Sequence, residues 1–496
     1  MPDRRADKAF QKSIHTLDLP VGATRNETDN LGTKQIPGDA YWGLNVSRAL
    51  DNFAISGRPI STYPDLIFGY ACVKQAAARA NAEVGALDPE KADLIDRACE
   101  EIKEGKLQDQ FVVDIMQGGA GISTNMNVNE VIANRGLELA GYAKGGYEHL
   151  DPNDHVNRGQ STNDTYPTAL KIGLCLSIER LLAELELLEK AFHDKGREFA
   201  GIVKVGRTQL QDAVPMTLEQ EFEAFAVTLA EDYASFKEAM KSLWEINLGA
   251  TAIGTGIAGH PQFPEAVRKH LAAITGFAIV TAPNLVEATT DVGAFMKLSS
   301  TLKRCAMKLS KICNDLRLLG SGPQAGLCEI NLPPRQAGSS IMPGKVNPVI
   351  PEVVNEVAFV VAGGDVTLTM AAEAGQLQLN AFEPVMAQAL FENLKWMTAA
   401  VATLRDNCVT GITANKEHLA KQVGSFVGVI TALIPHIGYG PASKLAKEAL
   451  ATNANIADLV VASGLLTREQ VTQMLSPGNL TALSESGPRE KIRKAG

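Results

Sequence analysis

The sequence predicts an all-α protein built around a bundle of long helices. The clearest sign is the stretch from Pro167 to Phe199, in which apolar residues recur at steps of three and four and define one helix face. Additional leucines give this stretch a second apolar face, which is typical of a helix buried in a bundle or between subunits. Further long helical stretches, joined by polar loops as in elongated bundles, are predicted over residues 216–248, 291–319 and 349–374.

The remaining elements are predicted on both sides of this bundle. Pro64 suits the first position of a helix, and a second helix is predicted to follow Pro89. Beyond about residue 414 the predicted helices become shorter. We therefore expect three domains: residues 1–158, mainly helical with a flexible extension over residues 1–24; residues 159–414, the long-helix bundle; and residues 415–496, a small helical domain.

The composition excludes several classes of protein. The chain has 496 residues and a net charge of −9, with no basic block to neutralise phosphates, so nucleic acid is not an expected partner. No run of about 18 apolar residues predicts a membrane span, and the N-terminus has no apolar core of a secretory signal. Seven scattered cysteines without a C-x-x-C pair favour reduced thiols in the cytoplasm and predict no metal site.

Four polar loops are the candidates for chemistry. They are rich in hydroxyl groups, amides and glycines, which hydrogen-bond carboxylates without adding repulsive charge. Arg207 and Lys345 add the positive charge that a dianionic substrate needs. For any single loop, turn formation and helix capping are usually the better interpretation, and for the loop at 153–164 they are an equally good one. Four such loops, each leading into a long helix, favour a functional role. The loops span residues 118–130, 153–164, 205–215 and 338–348.

Two glycine-rich stretches imitate nucleotide-binding motifs. In "GSSIMPGKVNP", Val346 stands where a P-loop needs a metal-binding hydroxyl, and Asn347-Pro348 prevents a helix from starting after the lysine. "GTGIAG", residues 254–259, has the glycine spacing of a dinucleotide site but no preceding strand and no βαβ pattern. Neither stretch indicates a nucleotide cofactor.

The loop at 338–348 is similar to the signature GSSxMPxKxN of the aspartase/fumarase superfamily. The resemblance extends from about residue 25 to about residue 483, and "GRTQLQDAVPMTL" and "EAGQLQLNAFEPVM" resemble aspartate ammonia-lyases more than fumarases. It implies a fold of three helical domains, a homotetramer with a twenty-helix core, and active sites that each combine loops from three subunits. The signature residues here are Gly338, Ser339, Ser340, Met342, Pro343, Lys345 and Asn347.

The resemblance implies reversible anti elimination of ammonia from L-aspartate, giving fumarate through an aci-carboxylate intermediate. Ser339 is then the general base, and its alkoxide needs backbone N–H groups and a cation for stabilisation. Ser340 is expected to donate to the aci-carboxylate, and Lys345 and Asn347 to bind a substrate carboxylate. Gly338 and Gly344 let the loop close over the substrate.

The other loops match further family positions. Ser161, Thr162 and Asn163 correspond to a loop that holds the substrate, and Thr208 and Gln209 correspond to the third loop. Many superfamily members have histidine at the Gln209 position, paired with the glutamate that is Glu352 here. Because ammonium leaves as neutral ammonia without an added proton, an ammonia-lyase needs a titratable group there less than a hydratase does.

At one position the sequence departs from the family pattern, and this leaves alternative functions open. The family's first loop carries a substrate-binding threonine where this chain has Ile122, so Ser123 or Thr124 compensates, or the activity or the substrate has changed. The alternative functions are a fumarate hydratase and an ammonia-lyase acting on a modified aspartate. A non-catalytic helical assembly is disfavoured by the intact signature loop. No cofactor is expected to be required, although the resemblance allows activation by Mg²⁺.

Overall fold

A computed structural model describes residues 23–452 and 454–481 of the chain and confirms the all-α prediction. Helices dominate these residues, and the strands form only two-stranded pairs. Except for residues 23 and 24, the predicted flexible extension lies outside the described residues.

The helices are labelled in chain order. The first eight are α1 (Leu44–Asn52), α2 (Pro64–Glu83), α3 (Pro89–Lys103), α4 (Ile122–Leu139), α5 (Thr162–Glu198), α6 (Leu218–Leu243), α7 (Phe263–Thr275) and α8 (Leu285–Thr290). The remaining helices are α9 (Gly293–Leu319), α10 (Val349–Glu373), α11 (Glu383–Asn407), α12 (Lys416–Ser425), α13 (Ile434–Ile437), α14 (Tyr439–Thr452), α15 (Ile456–Ala462), α16 (Arg468–Met474) and α17 (Pro477–Thr481).

The strands are short, and two of the four pairs are local hairpins. Three pairs are antiparallel, and the pair of β5 with β6 is parallel. The strands are β1 (Thr24–Asp29) with β2 (Gly32–Pro37), β3 (Val203–Thr208) with β4 (Gln211–Thr217), β5 (Glu245–Ile246) with β6 (Val280–Thr281), and β7 (Ile330–Asn331) with β8 (Thr413–Ala414).

The chain divides into two compact units. Unit 1 contains the residues up to 183 together with residues 234–306 and 357–398. Unit 2 contains residues 184–233 and 307–356 together with those from 399 onwards. The boundaries of the three expected domains stay a prediction.

The interior of unit 1 includes α2, which packs against α3 and α7. Its sequence, "PDLIFGYACVKQAAARANAE", begins with the expected proline and continues with small residues that let neighbouring helices approach closely. Most of α2 is buried, including the charged side chain of Lys74. A buried lysine needs hydrogen-bond acceptors, and these belong to the site described below.

The long helix α5 begins five residues earlier than predicted, so Pro167 lies inside it. Proline has no N–H group to donate to the carbonyl four residues earlier, which is that of Asn163. The Asn247 side chain donates to this carbonyl instead, over 3.1 Å. A side chain from a distant part of unit 1 therefore compensates for the proline.

Unit 2 contains the β3–β4 hairpin, which the sequence analysis treated as a loop, and the C-terminal helices. The hairpin explains why α6 starts at Leu218 and not at the predicted residue 216. The C-terminal helices share a small apolar core, formed by buried side chains that include Leu433, Leu445, Ile456 and Val460.

Among the described residues, α10 is long and apolar enough to cross a membrane, and a bent segment over residues 416–437 meets that test only as a pair. Core helices pass the same test. Within α10, the buried Asp365 accepts a hydrogen bond from Ser299 over 2.8 Å and pairs with Lys303. Such polar pairing favours a helix packed within protein.

Candidate active site

A cavity of about 400 Å³ lies in unit 1 and is bordered by the N-termini of two long helices. Ile122 and Asn125 come from the start of α4, and Ser161 and Thr162 from the start of α5. The first N–H groups of a helix have no partner within the helix, and its dipole is positive at that end. In α4 the N–H groups of Ile122 and Thr124 already donate to Gly119 O and to the Gln117 side chain. The positive ends of the two helix dipoles favour a small anion in this cavity.

Glycine geometry sets the position of the first loop. Gly119 and Gly121 have φ values of +89° and +86°, which strain any residue with a side chain. A Cβ atom on Gly121 would come within 2.0 Å of the Tyr166 ring. The chain therefore turns sharply into α4 and leaves the first residue of that helix, Ile122, 44% exposed at the cavity.

The two hydroxyl residues after Ile122 are buried. The Thr124 hydroxyl and its backbone N–H both donate to the Gln117 side-chain oxygen, over 3.1 and 3.0 Å. Ser123 is also buried, at 7% exposure. Because the Thr124 hydroxyl already has a partner, the structure gives no reason to favour it as a substitute for the family threonine. Roles for Ser123 and Thr124 in substrate binding stay a prediction.

A buried carboxylate holds the second loop in place. Asp164 accepts hydrogen bonds from the N–H groups of Ser161 (2.9 Å), Gly249 (3.1 Å) and Thr251 (2.9 Å). Burial raises the pKa of Asp164 to about 7, against the lowering effect of these N–H groups. The carboxylate ties the Ser161 loop to the segment that forms the opposite side of the cavity. Asn163 makes the same link, because its side chain donates to Ala252 O over 2.7 Å.

Below the cavity lies a network of buried amides around Lys74. The Lys74 ammonium donates to the side-chain oxygens of Asn157 (2.9 Å) and Gln160 (3.0 Å). Asn125 donates to Asn157 and to the Thr162 hydroxyl, each over 3.2 Å. Burial lowers the pKa of Lys74 to about 7. The network orients the Thr162 side chain.

Sequence reasoning missed Lys74 and Asp164. The available signal was a lysine in the middle of the alanine-rich α2, where a buried charge needs a partner. Asp164 was interpreted as a capping residue, and its bonds to Gly249 and Thr251 depend on a segment about 85 residues away.

In unit 2, the third loop is the tip of the β3–β4 hairpin. Gln209 and Leu210 both have positive φ, +54° and +61°, and they form the two-residue turn between Thr208 and Gln211. Thr208 and Gln209 are exposed. The hairpin thus presents the two predicted substrate-binding residues at its end.

The positive charge of Arg207 is already neutralised. Its guanidinium donates to Glu329, a fully buried carboxylate that also pairs with Lys204 over 2.6 Å. Lys204 is itself buried and pairs with Glu221 over 2.7 Å. Within unit 2 the Arg207 guanidinium pairs with Glu329, at a position next to the Thr208–Gln211 pair that flanks the turn. The expected contribution of Arg207 to the charge that meets the substrate stays a prediction.

The signature loop closes on itself through backbone contacts. Gly338 N donates to Lys345 O over 2.7 Å, and the Asn347 side chain donates to Gly338 O over 2.8 Å. A Cβ on Gly338 would lie 2.8 Å from Asn347 N, so only glycine fits there without displacing the loop. Gly344 turns the chain with φ +80°.

The Ser339 oxygen accepts two hydrogen bonds from its own loop. The N–H groups of Ile341 and Met342 lie 3.2 and 3.0 Å from Ser339 Oγ. Donors aimed at a hydroxyl oxygen stabilise its deprotonated form more than its neutral form. This arrangement lowers the free energy of a serine alkoxide.

Other groups of the loop are available to a ligand. Ser340 and Lys345 are exposed, and within residues 23–452 and 454–481 neither side chain has a hydrogen-bond or ion-pair partner. After the loop, Glu352 lies in the first turn of α10, 3.8 Å from the Arg317 guanidinium. Among the described residues, no group of three or more His, Cys, Asp or Glu side chains could hold a metal ion.

The predicted site residues therefore fall into two sets. Unit 1 brings Ser161 and Thr162 together at the cavity, and Asn163, Ser123 and Thr124 are their neighbours or those of Ile122 in the chain. Unit 2 holds the hairpin tip and the signature loop: Arg207, Thr208, Gln209, Gly338, Ser339, Ser340, Met342, Gly344, Lys345, Asn347 and Glu352.

Two protein-family profiles match the chain. One, described as "Lyase", matches residues 32–363, and the other, described as "Fumarase C C-terminus", matches residues 429–482. The first covers more than half of the chain and includes both the Ser161 loop and the signature loop.

Individual proteins match over nearly the whole chain. The aspartate ammonia-lyase of Pseudomonas aeruginosa is 53% identical over 464 residues, which are 93% of this chain and 98% of that protein. The structure of a fumarate lyase:delta crystallin from Brucella melitensis bound to cobalt has a TM-score of 0.91 and 49% identity, and the match covers 93% and 100% of the two chains. A class II fumarase from Schistosoma mansoni has a TM-score of 0.85 and 32% identity, with 92% and 98% covered.

Proposed function

The chain belongs to the lyase family, and we propose that it catalyses the reversible anti elimination of ammonia from L-aspartate to give fumarate. It is a carbon–nitrogen lyase, and its aspartate ammonia-lyase relatives are more similar to it than the fumarase is. The observation that carries the mechanism is the pair of N–H groups that donate to Ser339 Oγ.

Ser339 acts as the base in this proposal. The alkoxide takes the C3 proton of aspartate, and the electron pair of the C–H bond moves towards the neighbouring carboxylate to give the aci-carboxylate. The C2–N bond then breaks, the C2–C3 double bond forms, and ammonia leaves. The two loop N–H groups favour the deprotonated serine, and Ser340 and Lys345 are free to stabilise the charge that develops on the carboxylate.

The cavity of unit 1 binds and orients the substrate. The N-termini of α4 and α5 attract its carboxylates, and the hydroxyl groups of Ser161 and Thr162 fix their positions. Buried contacts hold the Ser161 loop and the Thr162 side chain in one geometry.

We further propose a homotetramer in which three subunits contribute to each active site. Its support is apolar surface on the long helices of the single chain: Val227 of α6 is 55% exposed, and Phe359, Val366 and Met370 of α10 are 59–68% exposed. Contiguous apolar faces of this kind mark protein interfaces.

A fumarate hydratase is the second candidate, because the same base serves both reactions. Gln209 counts against it, since a leaving hydroxide needs an acid and glutamine cannot provide a proton.

The test is the ultraviolet absorbance of purified protein mixed separately with L-aspartate and with L-malate. The absorbance of the conjugated double bond of fumarate should increase with aspartate and not with malate. Absorbance that grows only with malate would make the protein a hydratase and overturn the proposal.

A further inference from the structure

The lining of the cavity in unit 1 includes apolar side chains among its polar ones. Ile122 and Ile257 are 44% and 68% exposed, and Met126 lies beside them in the lining. We call these three residues the apolar wall. Ile122 stands where the family resemblance expects a threonine, so this chain has exchanged a hydrogen-bond donor for a branched apolar side chain at the start of α4.

The local backbone makes room for this side chain. A Cβ on Gly119 would lie 2.8 Å from Ile122 Cγ2, so the isoleucine packs directly against a glycine. The other residues of the cavity that the mechanism uses are polar: Ser161, Thr162 and Asn125. A ligand in the cavity therefore meets both hydrogen-bonding groups and hydrocarbon.

The chemistry of the substrate limits which of its groups can face hydrocarbon. Both carboxylates and the ammonium of aspartate need polar partners, so only its carbon-bound hydrogens suit the apolar wall. One of the two C3 hydrogens must face the Ser339 base. The other C3 hydrogen remains on the product and is free to point towards the wall.

We propose that the apolar wall accommodates an alkyl group in place of that hydrogen, so that the enzyme also deaminates 3-methylaspartate. The balance is that of the parent reaction: Ser339 takes the single C3 proton, its bonding electrons form the C2–C3 double bond, and the C2–N bond breaks to release ammonia. The product is methylfumarate, and no oxidant or further reactant is involved. This inference rests on the proposed function and specifies its substrate class.

The experiment compares kcat/KM for L-aspartate with kcat/KM for 3-methyl-L-aspartate, using both C3 diastereomers because anti elimination selects one. In the wild type one diastereomer should react. We define the specificity ratio as kcat/KM for 3-methyl-L-aspartate divided by kcat/KM for L-aspartate. Ile122→Thr should lower this ratio by about 10- to 200-fold, the range that one methylene contributes in an apolar pocket. Ile257→Ala should lower it less. The matched control is Ile55→Thr, an isoleucine 67% exposed outside the cavity, which should leave the ratio unchanged.

A binding measurement keeps the test independent of turnover. In the Ser339→Ala background, calorimetry should show that Ile122→Thr weakens the binding of methylfumarate more than the binding of fumarate. If the protein turns over aspartate but Ile122→Thr leaves the ratio of the two kcat/KM values unchanged, the inference is overturned and the proposed function is left intact. Failure of both substrates would overturn the proposed function, and the inference with it.

Discussion

The two parts of the candidate site differ in how their polar groups are held. In the cavity of unit 1, Asp164 and Thr162 are buried and each has hydrogen-bond partners within the same unit. In the signature loop of unit 2, Ser340 and Lys345 are exposed and have no partner among the described residues. The polar groups of the cavity are hydrogen-bonded without a ligand, whereas the loop has donors that are not hydrogen-bonded.

This difference suits the cavity and the signature loop to different functions. Buried polar groups in a satisfied network hold one geometry, which suits substrate orientation. An exposed glycine-containing loop with free donors gains its partners only when the substrate is present, which suits a base that must act at the moment of closure. Substitutions in the loop should therefore change rate without changing stability, and substitutions in the cavity network should change both.

The largest effect is expected for Ser339→Ala. Loss of the base should lower kcat by about 10³-fold, while the thermal midpoint stays that of the wild type because the side chain is an acceptor for only two exposed N–H groups. Steady-state kinetics and thermal unfolding measure the two quantities. A variant that keeps its kcat would remove Ser339 from the role of base.

Lys345→Met should have the next largest effect. Loss of a charge-assisted bond to a carboxylate should lower kcat/KM for aspartate by about 10- to 100-fold without a change in thermal midpoint. Lys447→Met, at an exposed lysine of α14, is the control and should leave both quantities unchanged. A clear fall in the thermal midpoint of Lys345→Met would contradict the claim that substitutions in the loop leave stability unchanged.

Thr162→Val tests the cavity side. It removes the acceptor of Asn125 and leaves a buried amide N–H unpaired, which should lower the free energy of unfolding by about 1–3 kcal/mol and raise KM. Urea unfolding at fixed protein concentration measures the stability. The control is Thr472→Val, whose exposed hydroxyl bonds only the Arg468 carbonyl of its own helix. Equal stability for both variants would show that the Thr162 contact does not hold the cavity.

The last prediction is a pH dependence of stability in the buried part of unit 1. Burial raises the pKa of Glu383 from 4.5 to about 8, while the nearby Lys171 acts in the opposite direction. Between about pH 4.5 and 8 the folded chain therefore holds a proton that the unfolded chain has lost, so this group's contribution to stability falls as pH rises. Glu383→Gln lacks this dependence, and its thermal midpoint relative to wild type should rise over that interval. A constant difference would show that Glu383 is ionised throughout.

The sequence predicted the long helices well, because their apolar periodicity extends over 25 residues or more. α10 begins at the predicted Val349, and α2 begins at Pro64. It failed for the β3–β4 hairpin, whose turn has no glycine and relies on positive φ at Gln209 and Leu210.

For the site, the motif indicated Ser339 but could not indicate which N–H groups reach its oxygen. The sequence also assigned Arg207 to the positive charge that a dianionic substrate needs, but it could not indicate that Glu329, 122 residues away, pairs with this side chain. Contacts of that separation depend on packing and leave no local pattern in the sequence.

In the proposed tetramer, the cavity of one subunit works with the signature loop of another. Two variants test it: Ser339→Ala, defective only in the loop, and the double variant Ser161→Ala with Asn163→Ala, defective only in the cavity. Each should be inactive or nearly so alone. When the two are mixed, dissociated and reassociated, hybrid assemblies should recover aspartate deamination, because some sites then combine an intact cavity with an intact loop. Hybrids that assemble but remain inactive would contradict the claim.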